Sequence, residues 1–224
     1  VGYFTAATKI LVIAMSFSSS LGAVIMPRTS NLIAENKMDE FKTLIQKSYD
    51  FVLALAMPLT VGLIFISPSA ILLLSGEGFA SAILTSQIIA FNILTVSIAG
   101  VMGFQVLYPM GRINTVIFCT FIGAIVNILM NVLLTPVYGH NGTAVAYMLA
   151  EVAVTFSMFI LGRKYIPIQF FKKEHLHYII GSVVMGIGLY FISNSQLDNI
   201  MMLTFMLLVG GLTYVGILLS LIHI

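Results

Sequence analysis

Long apolar runs alternate with short polar segments along the whole chain. Seven uncharged or nearly uncharged runs can be drawn, near residues 6–26, 51–74, 82–107, 113–135, 142–162, 176–193 and 200–222. A helix needs about 20 residues to cross roughly 30 Å of hydrocarbon, whereas barrel strands are about half as long and alternate polar with apolar residues. The pattern therefore predicts an all-α, polytopic transmembrane helix bundle with about seven spans.

The composition supports a bilayer environment and excludes several classes of protein. Of the 224 residues, 59% are hydrophobic and 8% are charged, and the mean hydropathy is +1.07. Soluble domains carry about 25% charged residues, so a soluble enzyme, a nucleic-acid binder and a disordered scaffold are excluded. The single cysteine, Cys119, lies in an apolar run and excludes an intrachain disulfide.

The basic residues fall in alternate loops, which predicts the orientation of the chain. Of ten Lys and Arg residues, nine lie after the first, third or fifth run: Arg28, Lys37, Lys42, Lys47, Arg112, Arg163, Lys164, Lys172 and Lys173. The other loops contain no Lys or Arg. Because cytoplasmic loops collect Lys and Arg, we expect the first residue to lie outside and the last residue in the cytoplasm.

The polar stretch at residues 31–50 is predicted to be an amphipathic helix. Phe41, Leu44, Ile45 and Tyr49 recur at helical spacing, and lysines occupy the opposite positions. We interpret it as a cytoplasmic connector on the membrane surface that leads into the second span.

Five short motifs occur in an order that resembles one family of membrane proteins. They are GYFTAATK at residues 2–9, PRTS at 27–30, Pro58 with Gly62 and Leu63, QVLYPMGR at 105–112, and NILMNVLLTPVYG at 127–139 with Gly142, Ala144 and Glu151 beyond it. This series resembles the polysaccharide-unit (lipid-linked oligosaccharide, Wzx-type) flippases of the multidrug/oligosaccharidyl-lipid/polysaccharide exporter superfamily. The resemblance covers residues 1–165, and the last two spans match by position and hydrophobicity.

The resemblance implies a two-lobed exporter fold of which this chain is the carboxy-terminal half. Residues 1–165 would form the carboxy-terminal lobe, residues 166–224 would add two helices, and an amino-terminal lobe would be missing. We accordingly expect one lobe plus two extra helices here, with the missing lobe as a partner.

Glu151 and Lys9 are the charged residues that lie within the predicted spans. A charge in hydrocarbon costs about 2.5 to 3.5 kcal/mol, so each requires an explanation. Glu151 is a candidate for proton or cation coupling, or a neutral residue in helix packing. Lys9 is a candidate for contact with a lipid-linked diphosphate, or a lysine whose ammonium group reaches the outer headgroups.

Other polar residues are candidates for a substrate path. Arg28 and Arg112 lie at the predicted cytoplasmic boundary, where they could capture a headgroup or set orientation by contact with anionic lipids. Gln105, Asn127 and Asn131 are amides in apolar runs that could accept a sugar or join helices. Asn127 and Asn131 are four residues apart and share a helix face. Pro58 is a candidate hinge or a static kink.

The sequence offers no combination of residues for catalysis. The four histidines are scattered, and no paired carboxylates, phosphate-binding glycine loop or metal-ligand spacing occurs. We therefore predict that the protein is not an enzyme, has no catalytic residues, and needs no cofactor or metal.

The expected function is flipping of a polyprenyl-diphosphate-linked oligosaccharide repeat unit from the inner to the outer leaflet by alternating access, for O-antigen, capsule or a related glycan. The expected location is the bacterial inner membrane, with multiple passes. Expected partners are the bilayer, the lipid-linked oligosaccharide and polysaccharide polymerase machinery, and no nucleic acid. Two alternatives stay open: a cation-coupled multidrug exporter of the same superfamily, and a non-transporting membrane partner of polymerisation.

Overall fold

The computed structural model describes residues 2–195 and 198–222, and this part of the chain is helical with no strand. Helix α1 spans Gly2–Ala34 and α2 spans Met38–Ser75, followed by a 3-10 turn at Glu77–Phe79. The next pass consists of α3 (Ala82–Ala90), α4 (Asn92–Gly100) and a π-helix at Val101–Leu107. Helices α5, α6 and α7 span Ile113–Gly162, Lys173–Ser193 and Asn199–Ile222.

The helices have the length and composition of membrane spans. Five described segments are long and apolar enough to cross a membrane: Met38–Ser75, Ala82–Leu107, Ile113–Gly162, Lys173–Ser193 and Asn199–Ile217. Gly2–Ser16 is a shorter apolar helix. Each predicted span coincides with a helix or with part of one, except that the span at residues 82–107 consists of α3, α4 and the π-helix in succession. The prediction of an all-α, multi-pass membrane bundle is therefore confirmed.

Helix α5 is a helical hairpin. Its 50 residues would extend about 75 Å if straight, more than twice the thickness of the hydrocarbon. Gly139 has φ 58° and ψ −132°, a backbone conformation that is essentially restricted to glycine. The chain reverses there, so that Gly123 in the first arm (residues 113–138) packs against Ala150 and Val154 in the second arm (residues 140–162).

The polar stretch at residues 31–50 is divided between two helices. Helix α1 continues to Ala34, the chain turns at Asn36 with φ 57°, and α2 begins at Met38. From there α2 continues into the membrane-spanning part without a break. Phe41, Ile45 and Tyr49 are buried, whereas Lys42 and Lys47 are exposed.

Contacts between distant residues show which loops share an end of the bundle. Gln46 Oε1 accepts a hydrogen bond of 2.8 Å from the Gln169 backbone N–H, Lys172 Nζ lies 3.0 Å from Asp50 Oδ2, and the Arg112 guanidinium lies 4.4 Å from the centre of the Tyr165 ring. These three contacts bring the basic loops together, and we call this the basic end.

Another set of contacts defines the opposite end. The Tyr3 ring packs edge-to-face on Phe79 and His140, and Thr85 Oγ1 donates a 2.7 Å hydrogen bond to Asn141 Oδ1. The loops after the second and fourth predicted spans, which contain no Lys or Arg, therefore meet at this end, next to the start of α1. The separation of basic from non-basic loops, on which the predicted orientation depends, is present in three dimensions.

Helices α6 and α7 pack against each other and against α2. Their shared core contains Met185, Leu189, Met206 and Tyr214, with Val61 and Phe65 of α2 packed against it. Two larger cores lie among α1 to α5.

Two prolines inside α2 leave carbonyl groups that other helices satisfy. Pro58 has no N–H, so the Ala54 carbonyl, four residues earlier, lacks its helical donor. The Tyr214 hydroxyl of α7 donates a 2.6 Å hydrogen bond to this carbonyl. In the same way Pro68 frees the Ile64 carbonyl, and Gln87 Nε2 of α3 donates to it at 3.1 Å. The candidate hinge at Pro58 is thus bonded directly to α7.

Tyr214→Phe is expected to lower the stability of the complete transporter by about 1 to 3 kcal/mol, because it leaves the half-buried Ala54 carbonyl unpaired. In a Pro58→Ala background the same change should cost much less, since the restored N–H at position 58 would bond that carbonyl. The measurement is thermal unfolding in detergent of the two single variants and the double variant. Equal losses in both backgrounds would show that Tyr214 does not act through this carbonyl.

Candidate functional site

A cavity of about 520 Å³ opens among α1, α2, the α4 and π-helix pass, and both arms of α5. Most of its lining is apolar and includes three methionines, Met15, Met26 and Met158. Its polar members are Ser97, Gln105, Thr120 and Glu151. Among the lining residues that the structure describes, Glu151 alone has an ionisable side chain. A mostly apolar cavity with a few convergent polar groups is typical of a ligand site.

Gln105 reaches the cavity from the π-helix. Its side chain is 3% exposed, and its Oε1 accepts a 2.6 Å hydrogen bond from Ser48 Oγ of α2. Its Nε2 lies near Gly22 of α1. A π-helix adds a residue to one turn and so rotates the side chains that follow, and the amide thereby lies between α1 and α2 at the cavity wall.

Glu151 reaches the same cavity from the second arm of α5, half-buried. One turn further on, Thr155 Oγ1 donates to the backbone carbonyls of Glu151 (2.8 Å) and Thr95 (3.0 Å). The second bond joins α5 to α4 next to the carboxyl group. Glu151 is therefore held at a helix contact, and no described Lys or Arg forms an ion pair with it.

Tyr147 lies near Glu151, and Asn92 lies near Tyr147. Asn92 begins α4 and is fully buried, and no described group forms a hydrogen bond of standard geometry with its amide. The Tyr147 hydroxyl lies beside it. Tyr147 precedes Glu151 by one turn and shares its helix face. Tyr147 was not among the candidates predicted from the sequence, although its spacing of four residues from Glu151 indicates that the two side chains share a helix face.

Asn127 and Asn131 form a ladder of hydrogen bonds outside the cavity lining. Asn131 Nδ2 donates to the Asn127 backbone carbonyl at 2.9 Å and to its Oδ1 at 3.1 Å. Thr135 Oγ1 donates to Asn131 Oδ1 at 2.9 Å and lies 3.1 Å from Thr143 Oγ1. The two asparagines share a face, and through Thr135 they connect the two arms of α5 near the Gly139 turn.

The cationic candidates lie apart from the cavity lining. Lys9 and Arg28 are exposed on α1, and Arg112 is exposed at the basic end, with its guanidinium over the Tyr165 ring. The structure thus brings Gln105 and Glu151 to one cavity and leaves Lys9, Arg28, Arg112, Asn127 and Asn131 outside its lining. Pro58 lies in α2, where Tyr214 bonds the carbonyl that it frees.

Comparison with known structures shows the same fold. The chain aligns with a lipid II flippase MurJ in an inward closed conformation with a TM-score of 0.83 at 17% identity, over 97% of this chain and 46% of the other. At this identity the likeness concerns the fold alone. The neighbour is a helical membrane transporter, which agrees with the bundle described above.

Two curated proteins are similar in sequence. The chain is 26% identical over 201 residues to an uncharacterized membrane protein, MJ1068, of Methanocaldococcus jannaschii, covering 90% of this chain and 39% of that protein. It is 25% identical over 150 residues to a probable low-salt glycan biosynthesis flippase, Agl15, of Haloferax volcanii, covering 67% and 32%. The chain therefore spans about a third to two fifths of the length of these relatives.

The family profile described as lipid II flippase MurJ matches residues 4–210, which is most of the chain. This match extends from α1 through α6 and into the first half of α7, and so it includes α6 and part of α7, which the sequence motifs did not cover. Flippases of this type are transporters, so the prediction that the protein is not an enzyme is confirmed. The chain belongs to the lipid II flippase MurJ family.

Proposed function

We propose that the complete protein flips a polyprenyl-diphosphate-linked oligosaccharide from the inner to the outer leaflet of the bacterial plasma membrane. The family match over residues 4–210 is the observation that carries this proposal. The Haloferax relative, named as a glycan biosynthesis flippase, supports a lipid-linked glycan as the substrate class. Within that class we favour the repeat unit of a surface polysaccharide, on the strength of the five ordered motifs.

The mechanism we propose is alternating access between this half and an amino-terminal lobe. This half would supply one wall of the path. Its cavity between α1 and α5 would admit the polar head of the lipid, where the Gln105 amide can donate to a sugar or phosphate oxygen. Pro58 would allow α2 to bend, and the bond from Tyr214 to Ala54 would then transmit the bend to α7.

The cations would act at the ends of the path rather than inside the cavity. Arg28 and Arg112 are exposed, Arg112 at the basic end, and an exposed guanidinium can pair with a diphosphate by two hydrogen bonds. Lys9 is exposed near the start of α1, close to Tyr3 and the opposite end. In this proposal the arginines receive the headgroup and Lys9 meets it on release, while Asn127 and Asn131 stabilise the hairpin that carries Glu151.

A second candidate is a cation-coupled exporter of cationic compounds. The observation that favours it is the charge of the cavity, because the one ionisable residue in the described part of its lining is the acid Glu151. An acid in an apolar cavity attracts cations and repels a diphosphate. Glu151 is a proton- or cation-coupling residue in both candidates, and the substrate distinguishes them.

The experiment is disruption of the gene in the native host, followed by mass analysis of lipid-linked sugars. The expected result is accumulation of unpolymerised units on the polyprenyl carrier together with loss of surface glycan. Normal glycan and normal carrier lipids, with increased sensitivity to cationic dyes, would favour the exporter. Co-purification with a polymerase without leaflet transfer in proteoliposomes would instead indicate the non-transporting partner.

A further inference from the structure

The segment at residues 163–173, between α5 and α6, combines exposed cations with a fully exposed aromatic ring. The Phe171 side chain is 96% exposed, higher than any other large hydrophobic residue in the described part of the chain. Arg163, Lys164 and Lys173 are also exposed, and the described residues provide no carboxylate within ion-pairing distance of them. Glu174 is the acid nearest in sequence. We call residues 163–173 the basic segment.

The basic segment is attached to α2 on both sides of Phe171. On one side of Phe171, Gln169 donates its backbone N–H to Gln46 Oε1 at 2.8 Å. On the other side, Lys172 Nζ pairs with Asp50 Oδ2 at 3.0 Å.

Neighbouring side chains complete this attachment. His175 Nε2 lies 2.9 Å from Asp50 Oδ1, where it donates because a carboxylate only accepts. Phe170 packs on Tyr49 and Phe159, with ring centroids 5.4 and 4.9 Å apart. Phe170 therefore points into the bundle while Phe171, its neighbour in the chain, remains outside.

The position of the ring along the chain places it at the membrane boundary. The spanning helix α6 begins at Lys173, two residues after Phe171, and the spanning helix α5 ends at Gly162. Two residues extend at most about 7 Å, so the ring cannot lie far from the headgroup level. An exposed aromatic ring among Lys and Arg at this depth is typical of an interfacial anchor.

We propose that the basic segment is a binding site for anionic phospholipid. The Phe171 ring inserts between acyl chains just below the headgroups, and Arg163, Lys164 and Lys173 bind the lipid phosphates. Because Gln46 and Asp50 of α2 already order the segment, binding requires little further loss of conformational freedom. The site fixes the ends of α5 and α6 relative to the bilayer, and the proposal does not depend on the transported substrate.

The test uses Phe171→Trp in the complete transporter, reconstituted in vesicles of phosphatidylcholine with or without phosphatidylglycerol. The described half contains no tryptophan, and the signal of the parent protein is subtracted. We expect quenching by lipids brominated close to the headgroup, protection from aqueous iodide, and stronger quenching by brominated phosphatidylglycerol than by brominated phosphatidylcholine. Neutralising Arg163, Lys164 and Lys173 to Gln should lower that preference by roughly fivefold for each charge removed.

A matched control is Phe121→Trp, because Phe121 is 60% exposed in α5 and lies eight residues beyond the start of that helix. Its tryptophan should be quenched by bromines deep in the chains, without preference for phosphatidylglycerol. Iodide quenching at position 171 without lipid quenching would overturn the proposal, because it would place the ring in water. Equal quenching by both lipids, unchanged by the three neutralising substitutions, would overturn the anionic-lipid site and leave only a nonspecific apolar contact.

Discussion

Gly142→Ala is expected to destabilise the protein more than any other conservative change in the hairpin of α5, by about 3 kcal/mol. A Cβ atom at position 142 would collide with the Leu134 carbonyl oxygen and would lie 2.6 Å from its carbonyl carbon and 3.0 Å from Thr135 N. All three atoms are backbone, so no side-chain rotation can relieve the collision. The two arms would have to separate at the turn, where Thr135 and Thr143 now lie 3.1 Å apart.

The measurement is the yield of folded transporter and its unfolding temperature in detergent. The matched control is Gly188→Ala in α6, where a Cβ atom would meet nothing within 4 Å. This control should unfold at the parent temperature or slightly above it, because alanine favours a helix over glycine. If Gly142→Ala also unfolds at the parent temperature, the close approach of the two arms does not exist.

Glu151→Gln is expected to reduce transport by roughly tenfold or more while leaving the folded protein intact. Glutamine is nearly isosteric with glutamate and preserves hydrogen bonding at the cavity wall, but it cannot exchange a proton or neutralise a cation. The loss would therefore report the charge of residue 151 rather than its packing. The measurement is leaflet transfer of a lipid-linked oligosaccharide by the complete protein in proteoliposomes, with surface glycan in cells as a second readout.

Two controls separate charge from structure in this experiment. Glu77→Gln removes an exposed carboxylate from the 3-10 turn at the opposite end and should leave transport unchanged. Glu151→Asp retains the charge on a shorter side chain and should preserve part of the activity. Parent-like transport by Glu151→Gln would contradict the coupling role and leave Glu151 as a residue of helix packing between α4 and α5.

The positions of the helices could be predicted because they depend on local properties of the chain. Burial in lipid requires long apolar runs, so the apolar run at residues 82–107 predicted one pass through the membrane. The structure builds that pass from α3, α4 and a π-helix. The break at residues 136–139 was visible from its proline and glycine, and the structure places the reversal at Gly139. The bonds that satisfy the Ala54 and Ile64 carbonyls were not visible, since Tyr214 and Gln87 come from distant helices.

The candidate site was predicted only in part. Gln105 and Glu151 were recognised as polar residues in apolar runs, and both line the cavity. Asn127 and Asn131 carried the same signal, yet they bond along their own helix and lie outside the cavity lining. Because an unpaired amide in lipid has a high free energy, it is expected either to form a hydrogen bond within the protein or to line a cavity. This free energy does not determine which of the two occurs, because that depends on the neighbour that packs against each helix face.

The order of residues along the chain was sufficient to predict the membrane class, the number and approximate limits of the spans, the division into basic and non-basic loops, and the resemblance to lipid-linked glycan flippases. These follow from hydropathy, charge distribution and short motifs, which are properties of contiguous residues. The packed bundle was needed to show that Glu151 and Gln105 share a cavity while the cations lie outside its lining, that α6 and α7 pack on α2, and that Phe171 is held outward near Lys173. These depend on the rotation of each helix about its axis and on its neighbours, and packing between residues far apart in the chain sets both.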